Sequence, residues 1–269
     1  MTNKVFDDKQ LEVIRFNSGH ALVLGAPGCG KTDILSYRVL LSHQGYNVDY
    51  KDMLCLTFTN RASREMKERI KTTVGDVMAD LFVGNLHRFC IRFIYENNLI
   101  PIDVGIADDT EQEEIFAELT STQVLGWKIM NITKVAAFYY MKSNNFPYEI
   151  AGKEPFIDSR TRDLAERYIE YKKENRLIDF DDILLLTYKA LMEDDYQQKY
   201  QYSSYKWIQV DEVQDLNPIQ LGIIEKLGAK DYESVVYLGD ERQAIYSFLG
   251  AKQDSIMYIK KTAGKNLFV

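Results

Sequence analysis

Residues Ala21 to Thr32 read ALVLGAPGCGKT, and the remainder of the chain is organised around them. The apolar run 21–24 predicts a buried strand, Gly25 to Gly30 a tight glycine-rich turn, and Lys31 the start of a helix. That order makes a phosphate-binding loop. Its glycines let backbone N–H groups converge on a polyphosphate, and the helix N-terminus adds partial positive charge. Lys31 reaches the outer phosphates and the Thr32 hydroxyl ligates magnesium. The candidate phosphate-binding residues are therefore Gly25, Ala26, Pro27, Gly28, Cys29, Gly30, Lys31 and Thr32. A G-x-x-x-x-G-K-[ST] string arises by chance in roughly one chain in a hundred of this length. Cys29 is read as a small tolerated side chain within the loop.

Two further stretches carry polar groups to the same place. Lys206-Trp207-Ile208-Gln209-Val210 predicts a strand that ends in Asp211-Glu212-Val213-Gln214-Asp215. Paired carboxylates at a strand end are what a phosphate loop needs: Asp211 holds magnesium through water, and Glu212 orients and deprotonates the attacking water. Ser234 to Leu238 predicts another strand, followed by GDERQAIYSFLGA from Gly239 to Ala251. There Gln243 is placed to contact a terminal phosphate or its water. Tyr246 and Phe248, two residues apart, offer aromatic faces or core packing. Upstream of the loop, an acidic first turn leads into a short amphipathic helix at Leu11 to Ile14, and the amide of Gln10 has the donor and acceptor needed to read an adenine edge.

Composition bounds the partners. The 269 residues carry 33 Lys+Arg against 40 Asp+Glu, a formal charge of −7, which argues against a chain coated in nucleic acid but leaves room for a local basic groove. One basic stripe exists. After a predicted strand at 53–57, the helical segment Arg61 to Lys71 holds five basic residues against two acidic ones. It reads either as a solvated face with i,i+4 pairs such as Glu65 with Arg69, or as a nucleic-acid footprint. No apolar run approaches the roughly 18 residues of a membrane span, and the first ten residues are too polar for a signal peptide. A cytoplasmic protein is expected. Cys29, Cys55 and Cys90 lack metal-type spacing, which suits reduced thiols. A third strand is predicted at Leu81 to Val83. From about Arg92 to Tyr205 the pattern becomes mainly helical.

Taken together these segments resemble the N-terminal half of superfamily 1A DNA helicases of the UvrD/Rep/PcrA type. FDDKQ (6–10) is similar to the family's adenine-reading Q motif, GAPGCGKT (25–32) to motif I, LTFTNRASREMKER (56–69) to motif Ia and NLHRFC (85–90) to motif Ib. ENRLIDFDDILLL (174–186) resembles the stretch preceding motif II, VDEVQD (210–215) motif II, and GDERQAIYSFLGA motif III. The resemblance implies a P-loop NTPase of α/β class, a RecA-like parallel sheet flanked by helices, with residues 1–91 and 206–269 forming the ATP-binding domain and 92–205 an inserted, mainly helical subdomain. It implies ATP and Mg2+ as ligands, with Gln10 on adenine, Lys31 and Thr32 on phosphates and metal, Asp211 on the metal, Glu212 on the water and Gln243 on the γ-phosphate. Single-stranded DNA, or a junction of single and double strands, is implied to stack on Phe58, Tyr246 and Phe248, with Asn60 and His87 near its backbone.

Departures qualify the match. Leu249 replaces motif III's arginine, Asn85 and Leu86 replace the first two residues of motif Ib, and Asp33 stands where many relatives carry a basic or neutral residue, which predicts weaker nucleotide affinity. Family members continue into a second RecA-like domain that supplies arginines across the nucleotide cleft. An arginine finger contributes about 10³–10⁵ in rate. The expectation is thus a monomeric, ATP- and DNA-binding half of a helicase, 3′ to 5′ by family analogy, inactive in unwinding without its C-terminal RecA-like domain. The rivals are the motor of a RecB- or AddA-type helicase–nuclease and a short non-catalytic DNA- or protein-binding module.

Overall fold

In the computed structural model, which describes residues 5–26, 28–75, 80–155, 157–228, 234–240 and 253–269, the chain divides into two compact units, Met1–Phe89 with Tyr202–Val269 and Cys90–Gln201. Pro27, Gln243, Tyr246, Phe248 and Leu249 lie outside the described residues.

The first unit is built on strands β1 (Gly19–Leu24), β2 (Met53–Thr57), β3 (Phe82–Asn85), β6 (Trp207–Val210), β7 (Ser234–Gly239) and β8 (Leu267–Phe268), with β4 (Gly105–Ile106) and β5 (Leu177–Ile178) belonging to the second. The six align in the order β3-β2-β6-β7-β1-β8, every pair parallel. Every residue of β2, β6 and β7 is buried, which is why these segments read as unbroken apolar runs: a parallel strand covered on both faces has no solvent side to mark. Strand β3 begins one residue later than predicted and extends through Asn85, because the Asn85 side chain accepts a hydrogen bond from Arg88 N (2.8 Å) and starts the next helix there.

Helices α1 (Asp8–Arg15), α2 (Lys31–Tyr46), α3 (Asn60–Val74), α11 (Pro218–Leu227) and α12 (Gln253–Ala263) accompany this sheet, and α4 (Leu86–Glu96) begins in this unit and continues into the second. Alternate residues of the strands, Ala21 and Val23, Met53 and Cys55, Val236 and Leu238, share one core with Val13 and Ile14 of α1, Leu35 and Val39 of α2, and Met66 and Ile70 of α3. Fully burying each such aliphatic side chain contributes roughly 1.5–3 kcal/mol. Helix α1 starts earlier than the apolar pattern indicated. Asp7 accepts from Gln10 N (2.8 Å) while the Gln10 side chain accepts from Asp7 N (3.1 Å), a reciprocal capping box.

Arg38 of α2 is wholly buried. Its guanidinium donates to the carbonyls of Val13 (2.5 Å) and Phe16 (2.8 Å) and to Ser234 Oγ (2.9 Å), and lies 4.7 Å over the Trp207 ring. Burial lowers its pKa to about 9, so it stays charged at neutral pH. This one side chain joins α1, α2, β6 and β7.

The second unit contains α5 (Asp109–Thr120), α6 (Gly126–Ser143), α7 (Tyr148–Ala151), α8 (Ser159–Glu174), α9 (Phe180–Leu191) and α10 (Tyr196–Lys199). The β4–β5 pair, two residues each and 72 positions apart in register, is a parallel ladder too short to leave a periodic signal. The Asp179-Phe180-Asp181-Asp182 stretch caps α9: Asp179 and Asp182 exchange side-chain bonds with each other's backbone N–H. Buried Lys172 of α8 donates to Asp179 (2.7 Å) and also pairs with Asp182, and Tyr168 donates to Asp179 at 2.9 Å. Among the described residues no helix is long and apolar enough to cross a membrane.

Two stability outcomes follow from these clusters. Arg38→Met removes three guanidinium hydrogen bonds and the contact over the Trp207 ring from the interior, leaving the Val13 and Phe16 carbonyls to the Phe16 N–H and the Ser234 hydroxyl, and is expected to cost about 2–4 kcal/mol in urea unfolding. Asp181 is pushed up to about 6 by burial first and then by the charges of Asp179 and Asp182. Its folded pKa lies above the unfolded value of about 4, so its contribution is fully present below pH ~4 and lost as pH rises through 6. Asp181→Asn is therefore expected to raise the melting temperature at pH 7.5 and to lose that advantage near pH 4.5.

Candidate nucleotide site and nucleic-acid groove

Because all six strands run parallel, their C-terminal ends lie at one edge, and the loops leaving β1, β6 and β7 meet there. The phosphate loop is tied to its neighbour by Gly25 N donating to the Gly239 carbonyl at 3.0 Å. Gly28 (φ +77°) and Gly30 (φ +86°) take left-handed backbone that a side chain would strain. A Cβ on Gly25 would lie 2.6 Å from Cys29 Sγ, so the loop closes tightly on itself. Gly30 is the N-cap of α2 and has no side chain to satisfy the helix's first N–H groups. Lys31 follows at once, its Nζ donating to the carbonyls of Gly25 (2.7 Å) and Ala26 (3.2 Å). A polyphosphate that takes this ammonium exchanges those two bonds for charge-assisted ones.

Gln10 reaches the same loop. Its Nε2 donates to the Cys29 carbonyl (3.1 Å) while Oε1 holds Asp7 N, so both ends of the amide are engaged, and α1 is pinned to the phosphate loop through it.

Asp211 and Glu212 stand beyond β6. Asp211 is 7% exposed, and its pKa rises to about 6 through burial first, then the charge of Glu212; Glu212 N, donating at 3.0 Å to Asp211 Oδ1, and the Lys31 charge pull the other way. Glu212 is held with φ 59° and ψ 41°, a left-handed conformation costly for a non-glycine residue and recurrent at functional positions.

Two residues of this motif had no role assigned from sequence. Buried Gln214 donates through Nε2 to Glu212 Oε2 (2.5 Å) and accepts at Oε1 from Asp240 N (3.1 Å), orienting the glutamate from the end of β7. Asp215 is also pushed to about 6, by burial and by Glu212, and its Oδ1 has no hydrogen-bond partner among the described residues. The available signal was polar residues immediately after a buried strand; their burial was not visible in it.

The donor set fits magnesium. Thr32 and Asp211 offer hard oxygen ligands of the kind magnesium takes. Among the described residues no group of three His, Cys, Asp or Glu could hold a metal by itself.

A groove opens at the same edge beside β3. Asn60, Ser63, Arg64, Lys67, Val83, Asn85 and Arg88 line a cavity of about 390 Å³. Asn85 Nδ2 donates to Asn60 Oδ1 (2.9 Å), so the residue that departs from motif Ib is a scaffold between α3 and α4. Phe58 is half-buried in the turn from β2 to α3, a turn set by Thr59 capping Ala62 N (3.1 Å) and by the Thr57–Ser63 hydroxyl pair (2.6 Å). His87 is half-buried and its pKa is lowered by burial. The stripe on α3 divides by face. Arg64 and Lys67 enter the groove, Arg61 pairs with Glu65 (3.0 Å), and Arg69 pairs with Asp33 of α2 (2.6 Å) rather than with Glu65 as spacing alone suggested.

The model of the UvrD/REP helicase N-terminal domain matches residues 6–264. The chain is 26% identical over 259 residues to "ATP-dependent DNA helicase PcrA" of Staphylococcus aureus, covering 94% of this chain and 35% of that protein. It is 27% identical over 261 residues to the Staphylococcus epidermidis protein of the same description, covering 94% and 36%. The chain thus spans about a third of the length of these relatives. With a matching model across almost its whole length and the phosphate loop, carboxylates and parallel sheet in place, the chain belongs to the UvrD/REP helicase N-terminal domain family.

Proposed function

We propose that this chain is the ATP- and single-stranded-DNA-binding part of a UvrD-type DNA helicase motor working in the cytoplasm. The observation that carries this reading is the joint presence, at one sheet edge, of the Lys31 loop, the Asp211–Glu212 pair and the basic groove of Arg64, Lys67 and Arg88.

Magnesium, when bound by Thr32 and Asp211, supplies charge neutralisation at the phosphates of the substrate ATP. The rest of the chemistry belongs to the protein. The uncapped N-terminus of α2 and the glycine turn receive phosphate oxygens, and Lys31 moves from its loop carbonyls to them. Glu212, aimed by Gln214, takes the proton of the attacking water. Gln10 reads adenine after exchanging its bond to Cys29, and Gln243 serves the γ-phosphate. The groove draws the DNA backbone by charge, and Phe58, Tyr246 and Phe248 stack bases, at roughly 1–3 kcal/mol each and without regard to sequence. Asn60 and His87 contact the backbone. Relatives about three times as long as this chain support a C-terminal RecA-like domain as the partner that completes the nucleotide site.

Steady-state ATPase, measured with and without oligo-dT, on this chain and on a form joined to a C-terminal RecA-like domain, tests the reading. Slow turnover alone, strong DNA stimulation in the joined form and loss of both in Glu212→Gln are expected. DNA-stimulated turnover by the chain alone, at the joined form's rate, would refute the need for a second domain. For the groove, Arg64→Ala/Lys67→Ala/Arg88→Ala is expected to weaken single-stranded DNA binding by roughly tenfold or more at low salt, equally for every sequence. The salt slope should become shallower by about 0.7 for each phosphate that the triple variant leaves without a cation, as fluorescence anisotropy would read.

A further inference from the structure

We infer that Arg69, on helix α3, is a positioning residue of the nucleotide site, acting through its pair with Asp33 to offset carboxylate charge beside the incoming phosphates. The inference rests on the nucleotide reading proposed above.

Asp33 lies in the first turn of α2, two residues after Lys31. A Cβ built on Gly30 would lie 4.0 Å from Asp33 Oδ2 and 3.6 Å from Gln10 Nε2, so the carboxylate and the Gln10 amide flank the last glycine of the loop. An acid at this position competes with a phosphate for the same positive helix end. Its side chain is only 17% exposed, so water screens its charge poorly. Arg69 Nη1 approaches Asp33 Oδ1 to 2.6 Å from the neighbouring helix. Arg64 and Lys67, five and two positions earlier on α3, line the groove instead. One helix therefore turns Arg64 and Lys67 to the groove and pairs Arg69, half exposed, with a carboxylate beside the phosphate loop.

Calorimetric titration of the full chain with MgATP decides the matter, using Lys31→Ala, Asp33→Asn, Arg69→Gln, Arg69→Lys and the Asp33→Asn/Arg69→Gln pair. Arg69→Gln is expected to weaken binding roughly fivefold, with Arg69→Lys restoring most of it and added salt shrinking the difference. In the Asp33→Asn background the same Arg69 change should have no effect, since no carboxylate is left to neutralise. Unchanged affinity in Arg69→Gln overturns the inference, as does an equal loss in both backgrounds, which marks a role in packing alone. Should Arg69→Gln fail to fold by circular dichroism, Asp33→Asn still decides: binding at least as tight as wild type supports the inference, and weaker binding overturns it. If the unmodified chain binds no MgATP, or Lys31→Ala binds it equally well, the nucleotide reading itself fails and the role of Arg69 falls with it.

Discussion

The hydrogen bond from Gly25 N to the Gly239 carbonyl, 3.0 Å long, is where the backbone of the fold becomes the backbone of a site. It extends the parallel register of β1 and β7 by one residue beyond the last strand pair, Leu24 with Gly239, and so sets where the glycine turn must leave the sheet. From that point the geometry is constrained. The turn needs left-handed backbone at Gly28 and Gly30, and the second of these delivers the first N–H groups of α2 without a side-chain cap. The same parallel ladder, continued through β6, carries Asp211 and Glu212 to that edge. Were any of these strands antiparallel, its functional residues would emerge at the opposite end of the sheet.

Carboxylates dominate the end of β6. Asp211 and Asp215 are each pushed to about 6 by burial first and then by the charge of Glu212 between them in sequence. Lys31 meanwhile turns its ammonium onto its own loop carbonyls. Gln214 keeps Glu212 aimed throughout, and does so from a buried position where the alternative is an unsatisfied amide.

Away from the site, buried ionic groups act as fasteners. Arg38 draws the end of α1 onto α2 and the sheet, which keeps Gln10 against Cys29 at the other end of the same short helix. In the second unit Lys172 gathers Asp179 and Asp182, and the family-like DFDD string turns out to be helix capping built around a buried lysine. Removing one partner of such a group is costly, because the other is left charged in a medium that solvates it poorly.

The sequence by itself determined what local rules can express: buried parallel strands as apolar runs, a glycine turn entering a helix, carboxylates following a strand, and from their order the α/β class. It also marked the Arg61 to Lys71 stripe as basic, though not which way each charge faces. Only the tertiary structure decided that. Helical rotation sends Arg64 and Lys67 into the groove and Arg69 across to Asp33, a pairing 36 positions apart that no i,i+4 rule contains. The same holds for Gln10, whose capping role is a three-residue contact but whose bond to Cys29 depends on packing of α1 against α2, and for Asn85, which looked like a lost motif residue and is a bridge to Asn60. Strand and helix patterns are periodic and so readable along the chain. The partner of a single polar side chain depends on which elements pack together, and that is settled only when the core closes.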